Sequence, residues 1–471
     1  MTLKNCMKLI TLISAIIFLS CVVSNAQKIR PNIILIVTDQ HSGLVMEQQG
    51  YNNIKTPGIN KLADKGVTFL RSYCAYPVCV ASRASMITGR MASKSNTKKL
   101  TSYPSIGMVM KNSGYTTAFL GKWHVSHTKI EKVADWHGFE KYHDERMDTI
   151  TERMTIDYLK QKHDKPFFLV TSFLNPHDCC ELARNISNLN DNYHDGAVVE
   201  NEKESLCPPL PANFMIAPRE AEGFYCRRAP DSTDMKNYRK HPVKYWSAKQ
   251  WRQYMYGYDR LVEKSDNHVL NVFNTLKKQG LLKNTIIFYT SDHGDGHASH
   301  QWNQKMSFYE EVLNIPFIVS WQGHTRTGVV DDKTLVCNGV DLFPTICSVA
   351  GAKCPKSLSG RDLSPYFLKK SYKVPEKRDY IVSEIIQRDP RSNSKNTFVG
   401  RAVVSENFKY ILFDNGKNPE QLFDLKKDPG ELHPVNNNPK YKKQLNLHRQ
   451  YLRNWIKKTG NNFSPDNIPC E

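Results

Sequence analysis

The side chains able to do chemistry in this sequence stand at the ends of apolar runs. Pro31 to Val37 (PNIILIV) leads into Thr38-Asp39-Gln40-His41, and Ala118-Phe119-Leu120 into Gly121-Lys122-Trp123-His124. Pro166 to Phe173 leads into Asn175-Pro176-His177, and Thr285 to Thr290 into Ser291-Asp292-His293-Gly294. Carboxylates, imidazoles and an ammonium placed this way can move protons and hold anions. Cys79 stands apart from them. It opens a stretch running through Ser82 and Arg83 to Thr88-Gly89 that reads as a helix. Cys79 would sit at the positive end of that helix, a place that suits a reactive thiolate. A thiol-protease reading needs a paired His and gives no part to the carboxylates.

The elements that must position these groups follow from the same runs. Continuous apolar, β-branched runs are strands buried on both faces, as in parallel sheets. Val67-Thr68-Phe69 is a further short strand. Before it, Thr56 caps a helix that has Pro57 at its first position and Gly66 as its stop. Trp251 to Gly280 is a long helix, with Tyr254, Tyr258, Leu261, Val262, Val269, Leu270, Phe273 and Leu276 at helical spacing. Strands alternating with helices predict an open α/β sheet, which binds ligands at the carboxyl ends of its strands. Asp39, Lys122, His124, His177, Asp292 and His293 are therefore expected in one crevice.

Residues 178–247 are polar, rich in Pro and Asn and weakly periodic, which reads as an exposed insertion near that crevice. After Lys370 the pattern changes. Tyr380-Ile381-Val382, Ala402-Val403-Val404 and Lys409 to Phe413 read as antiparallel strands, and Gln444 to Lys458 as a closing helix. The expected architecture is α/β. A large unit at 27–372 carries a mixed, mostly parallel sheet flanked by helices, and a smaller α+β unit at 373–471 carries an antiparallel sheet and a helix.

The first residues read as an export signal. Lys4 and Lys8 precede the apolar run Leu9 to Val23, and Ser24-Asn25-Ala26 predicts cleavage after Ala26. A lipoprotein signal at Cys21 is the rival, but Phe18-Leu19-Ser20 is a poor lipobox. The mature chain is then expected to be periplasmic or secreted. No other long apolar run exists, which excludes a polytopic membrane protein. With 40% hydrophobic and 24% charged residues, disorder and a fibrous fold are excluded too. Removing Lys4 and Lys8 from a net charge of +19 leaves +17. That balance favours polyanions. Export argues against nucleic acid and for sulfated or phosphorylated glycans. The 12 cysteines are too sparse for a disulfide scaffold and show no zinc-type CxxC pair.

Cys79-Val80-Ala81-Ser82-Arg83 resembles the signature of type I sulfatases, in which a Cys or Ser followed by x-Pro-Ser-Arg is oxidised to Cα-formylglycine (3-oxoalanine). Ala81 replaces the usual Pro, a departure that bears on which maturase acts and is accepted by anaerobic-type maturation. Further motifs follow in the family's order. They are Thr38-Asp39-Gln40, Gly121-Lys122-Trp123-His124, Asn175-Pro176-His177, Ser291-Asp292-His293-Gly294-Asp295, His300 to Lys305, Tyr309-Glu310, Asp341-Leu342-Phe343-Pro344-Thr345 and Asp428-Pro429-Gly430-Glu431. His293 stands where many members have Asn.

The resemblance implies an alkaline-phosphatase-like fold and an exported sulfuric ester hydrolase. Its substrates would be sulfated carbohydrates (O- or N-sulfated), with glycosaminoglycan-type oligosaccharides such as heparan or chondroitin leading. It implies one divalent cation held by Asp39, Gln40, Cys79, Asp292 and His293. Oxygen ligands favour Ca²⁺, while His293 leaves Mg²⁺ or Mn²⁺ open. A formylglycine hydrate at position 79 would attack sulfur, give a covalent sulfo-enzyme, and then collapse to expel sulfate. Arg83 would orient the hydrate, and Lys122 and Lys305 would hold sulfate oxygens. His124 would act as base and His177 as acid, with His300 sharing or taking the acid role.

Other readings stay open at this point. A phosphodiester or phosphonate monoester hydrolase of the same superfamily resembles the chain at Asp39-Gln40 and Asp292-His293. A choline-sulfatase-like enzyme shares only the first pair and is expected in the cytoplasm. A non-catalytic binder is argued against by the intact set of catalytic residue types. Gln40 is either a ligand or a hydrogen-bonder behind the ligands. His41, His127 and His297 read as surface or supporting residues. Trp123 and Trp302 are either core or a sugar platform. Neither nucleic acid nor stable membrane insertion is expected, and the expected protein partner is a formylglycine-generating maturase.

Overall fold

The strand β1 (Asn32–Asp39) is buried along its whole length. Its alternate side chains serve opposite layers. Ile33, Leu35 and Val37 pack with Met86, Ile87, Phe343 and Ile346. Ile34 and Ile36 pack with Ile59, Leu62, Val269, Val272 and Leu276. This burial on both faces is why the run shows no polar alternation. The computed structural model describes residues 30–95, 100–126, 130–188, 190–224, 243–356, 358–370, 376–388 and 397–470. The signal segment 1–26 with Lys4, Lys8 and Cys21, together with His127 and Cys226, lies outside the described residues.

The strands that follow are β2 (Gly66–Phe69), β3 (Ser72–Tyr73), β4 (Thr116–Gly121), β5 (Lys141–His143), β6 (Phe167–Pro176), β7 (Thr285–Ser291), β8 (Phe317–Trp321), β9 (Val329–Asp331) and β10 (Val336–Cys337). The main sheet has 8 strands in the order β5-β4-β6-β1-β7-β8-β2-β9, and β3 and β10 form a separate pair. Neighbours from β5 to β7 run parallel. β8 runs antiparallel to β7 and β2, which makes the sheet mixed. Asp39 pairs with Pro176, Thr38 with Ser291 and Gly121 with Ser172, so the carboxyl ends of β1, β4, β6 and β7 are brought level.

The Cys79–Thr88 helix lies on the Leu35 face and ends at Gly89, whose φ of 66° is left-handed. The helix Ala248–Lys278 lies on the other face and starts three residues before Trp251, because Ser247 and Gln250 form a reciprocal capping box. The helix Pro57–Asp64 ends at Lys65, and Gly66 opens β2 instead of stopping the helix. Thr56 occupies the cap position, but its side chain does not cap. Its hydroxyl turns to Glu47, and the free N–H groups of Gly58 and Ile59 donate to the Asp266 carboxylate at 2.9 and 2.6 Å. The stretch read as weakly periodic contains a helix, Cys179–Ile186, which packs on the long one through Cys179, Leu182, Ala183, Tyr254 and Tyr258.

Four antiparallel strands, β11 (Tyr380–Arg388), β12 (Thr397–Ser405), β13 (Phe408–Phe413) and β14 (Glu420–Asp424), form the second sheet. One face takes Leu452 and Ile456 of the helix Lys442–Thr459. The other packs Ile385, Ala402, Ile411 and Phe413 on Phe308, Tyr309, Val312 and Leu313. Lys409 reaches across with no exposed side chain and pairs with Glu310 and Glu431, each at 2.8 Å. Among the described residues no helix is long and apolar enough to cross a membrane.

Candidate active site

Cys79 and Arg83 are one helical turn apart and face the same way. Arg83 engages all three guanidinium nitrogens, through four of its five N–H donors. Nε donates to Asp292 Oδ2 at 2.7 Å, Nη2 to Asp39 Oδ2 at 3.1 Å, and Nη1 to the Lys122 carbonyl at 2.8 Å and Ser172 Oγ at 2.7 Å. Lys122 Nζ adds a second cation on Asp39 Oδ2 at 2.7 Å. Arg83, Lys122, Asp39 and Asp292 are all buried. Burial alone would raise Asp39, but the charges of Lys122, Arg83 and Lys305 hold its carboxyl well below the usual range. Asp292 goes the other way, raised by burial and by the nearby Asp39 charge against Arg83.

The Cys79 thiol is also held low. Burial opposes this, while the charge of Lys305, with His124 beside the thiol, outweighs it. Lys305 Nζ lies 3.7 Å from Cys79 Sγ, 3.4 Å from Gln40 Oε1 and 3.4 Å from His177 Nε2. Burial would lower Lys305, but Cys79, Cys180 and Asp39 raise it, so it remains an ammonium. His177 is held neutral by burial and by the charges of Lys122 and Lys305. The backbone ahead of it is fixed by Asp148, whose carboxylate accepts the N–H of Leu174 at 2.5 Å and of Asn175 at 2.9 Å.

Two buried acceptors face each other here. His293 Nδ1 donates to the Gly294 carbonyl at 2.9 Å, so in the neutral ring Nε2 carries the lone pair; burial favours that form, and the Asp292 charge outweighs burial and raises the imidazole above its ordinary value. That Nε2 lies 3.9 Å from Asp39 Oδ1 and 3.8 Å from Asp292 Oδ1. Neither Asp39 Oδ1 nor His293 Nε2 has a hydrogen-bond partner. With Cys79 they form a group close enough to share one ion. Buried, unpartnered, electron-rich atoms around one point fit a cation, so the donor set suits a metal. Gln40 has a φ of 73° and donates its backbone N–H to Asp292 Oδ1 at 3.1 Å. Its amide Nε2 donates to Asp295 at 2.8 Å, and its Oε1 faces Lys305.

His300 is placed elsewhere. It stacks on Tyr309 with ring centroids 3.7 Å apart, and its backbone N–H donates to the Asn213 carbonyl at 2.7 Å. Glu311 and Glu431 are its neighbours. His41 and His297 are buried, not at the surface. His41 bonds Tyr289 at 2.8 Å, and His297 bonds Asp259 at 3.0 Å. Trp123 and Trp302 are core residues, against Phe119 and Tyr309 respectively. Sequence reasoning missed Ser172, Asp148, Ser82 (whose hydroxyl donates to the Asp292 carbonyl at 2.5 Å) and the paired thiols Cys179 and Cys180 beside Gln40.

An alkaline-phosphatase-type α/β sheet with a cysteine at a helix start, two carboxylates and converging cations defines a class, and comparison with known proteins agrees. The chain belongs to the sulfatase family, whose profile matches residues 31–352, and is accordingly a sulfuric ester hydrolase by family. The C-terminal family of N-sulphoglucosamine sulphohydrolase matches residues 298–458. The chain is 27% identical to the Delta 4,5-hexuronate-2-O-sulfatase of Bacteroides thetaiotaomicron, over 92% of this chain and 90% of the relative. It is 26% identical to the N-acetylglucosamine-6-O-sulfatase of the same organism, over 89% and 85%. The solved structure of a 2-O GAG sulfatase superposes with a TM-score of 0.76 at 26% identity, covering 92% of this chain and 93% of that one.

Proposed function

We propose that this chain is an exported sulfatase that hydrolyses sulfate esters of sulfated carbohydrates, glycosaminoglycan-type oligosaccharides first among them. The observation that carries the reading is the convergence of buried Cys79 and Lys122 with half-buried Lys305 and His177, beside the unpartnered Asp39 Oδ1 and His293 Nε2. The sulfated-sugar relatives and the basic balance of the chain support the substrate class.

A sulfate ester is an anion that repels nucleophiles, so the site must first neutralise it. Lys122, buried, and Lys305, half-buried, are cations placed for its oxygens, and burial strengthens the pull of the first. A divalent cation, Ca²⁺ by its oxygen donors, would be held by Asp39, Asp292 and His293, with Gln40 beside them, and would add Lewis acidity there. Cys79 Sγ stands in for the oxygens of a formylglycine hydrate, which would supply one hydroxyl for attack and one for release. A low-pKa cysteine between Lys305, His124 and His293 suits both the maturation and that role. His124, hydrogen-bonded to position 79, is placed to take the proton of the remaining hydroxyl. His177 takes the acid role. It is neutral in the free site, and the negative charge of an incoming sulfate favours its protonated form. Arg83 commits four of its five N–H donors to Asp292, Asp39, Ser172 and the Lys122 carbonyl, so it positions that loop and keeps one Nη2–H for the group at position 79.

The test is mass spectrometry of the Cys79 peptide from protein made with an anaerobic-type maturase, followed by rates on an aryl sulfate, an aryl phosphodiester and sulfated disaccharides. Conversion of the thiol to an aldehyde with turnover of sulfates over the diester is expected. An unmodified thiol, or preference for the diester, overturns the reading.

A further inference from the structure

The imidazole of His194 stands edge-on to that of His177, with ring centroids 6.5 Å apart and planes at 76°. It belongs to the 178–247 segment, and its attachment is firm. Nδ1 meets the buried Asp178 carboxylate at 2.8 Å, and its backbone N–H meets the same Oδ1 at 3.3 Å. Glu181 lies 4.0 Å away. The side chain nevertheless stays 28% exposed, while Asp178 is wholly buried. The Asp178 hydrogen bond raises the imidazole pKa above its ordinary value, against burial and against the neighbouring Arg146 charge. Arg146 is exposed. Its loop is tied to the site, since Asp144 accepts the backbone N–H of Trp123 at 2.9 Å, between Lys122 and His124. The two loops are tied to each other through Thr149 Oγ1 and Asp195 Oδ1 at 2.9 Å. His194 and the Arg146 guanidinium thus come from two loops joined at Thr149 and Asp195, on the rim beside the residue read as the leaving-group acid.

We propose that His194 and Arg146 form a second anion subsite, on the leaving-group side of His177, that takes a carboxylate or further sulfate on the sugar bearing the scissile ester. The inference rests on the sulfatase reading and deepens it. Asp178 and Glu181 hold the imidazole in place from beneath, so its open edge meets ligand without reordering. A sugar lying across His177 would present its next ring substituent to this pair. A neutral leaving group such as a simple phenol gains nothing from it.

The experiment compares wild-type enzyme with His194→Gln, Arg146→Gln and the double variant. The substrates are a sulfated uronate sugar, its carboxyl-reduced form, a disulfated hexosamine and an aryl sulfate. On the anion that occupies the subsite, the variants are expected to lose about 10- to 100-fold in kcat/KM, chiefly through KM, the worth of one hydrogen bond to a charged group. Their aryl sulfate rates stay within about twofold. Reducing the carboxyl should cost the wild type the same factor and the double variant nothing. If the disulfated hexosamine alone shows the effect, the anion is a second sulfate. Equal losses on all substrates would mean that His194 only props His177, and would overturn the subsite. Calorimetric binding of the same sugars to enzyme with unmodified Cys79 needs no turnover. If no sulfate ester is hydrolysed after maturation, the sulfatase reading fails, while the binding difference between wild type and double variant still decides the subsite.

Discussion

Replacing Gly121 by Ala tests whether the ends of the strands are held as closely as the site requires. Gly121 has a φ of 100°, outside the region that residues with a Cβ adopt readily. A Cβ there would lie 2.1 Å from the Ser172 carbonyl oxygen and 2.8 Å from Thr151 Cγ2. The same carbonyl accepts the Lys122 N–H at 2.8 Å, so the clash falls on the bond that fixes Lys122. Backbone strain costs about 1–3 kcal/mol, and overpacking costs about 1–3 kcal/mol more. If the native geometry is kept, Gly121→Ala therefore loses about 2–6 kcal/mol of stability, a large share of the 5–15 kcal/mol typical of a folded protein. If the loop shifts instead, Lys122 Nζ leaves Asp39 and the sulfate position. A displacement of about 1 Å costs about 100-fold in rate. Gly280→Ala is the control: its φ is 69°, but nothing lies within 4 Å of the added Cβ. The assay pairs denaturant midpoints with kcat/KM on an aryl sulfate. Gly121→Ala should lose stability or activity by these amounts, while Gly280→Ala keeps activity and loses only its strain. Wild-type stability and rate in Gly121→Ala would refute the reasoning about this strand end.

Other outcomes follow from the same geometry. Lys305→Ala should lower kcat by about 100- to 1,000-fold, the usual effect of removing one group that stabilises transition-state charge, and steady-state kinetics on an aryl sulfate checks it. Chelation should abolish turnover and lower the unfolding midpoint. Calcium at about 100-fold over its Kd should restore both, adding about 2.7 kcal/mol. Asp148→Ala removes the carboxylate that holds the Leu174 and Asn175 N–H groups, so kcat on aryl sulfate should fall through a displaced His177 while maturation of Cys79, read by mass spectrometry, is kept. Glu431 is pushed up to about 8 by burial, with Lys409 opposing and Glu310 and Glu311 adding to the shift. A raised carboxyl keeps in the folded state a proton that the unfolded chain has released, so stability should fall as pH rises from the unfolded value of about 4.3 towards 8. Denaturant midpoints across that range check the slope, and Glu311→Gln should flatten it by removing one of the crowding charges.

The sheet was readable because each parallel strand, buried on both faces, declares itself as an apolar run and ends in its own polar motif. Asp39, Lys122, His177 and Asp292 each lie within a few residues of such a run, so local pattern was enough to place them at one edge. The residues that hold them there carry no local signal. Ser172 interrupts the most apolar stretch of β6 with a hydroxyl that makes sense only opposite Arg83, 89 positions earlier. Asp266 sits within the long helix and caps another helix 208 positions away, which is why Thr56 looked like the cap. His300 stands in a run of family-like motifs, yet a positive φ turns its ring onto Tyr309.

A strand end therefore announces chemistry, while orientation comes from tertiary contacts. That distinction matters most at Gln40. Sequence left it either a ligand or a hydrogen-bonder behind the ligands; in the structure its backbone is left-handed, its amide nitrogen donates to Asp295 and its amide oxygen accepts from Lys305. Gln40 thus connects the carboxylates of Asp292 and Asp295 to the lysine beside position 79. A cation drawn to Gln40 Oε1 would compete with Lys305 for the same oxygen, and would leave the ammonium free to meet the sulfate.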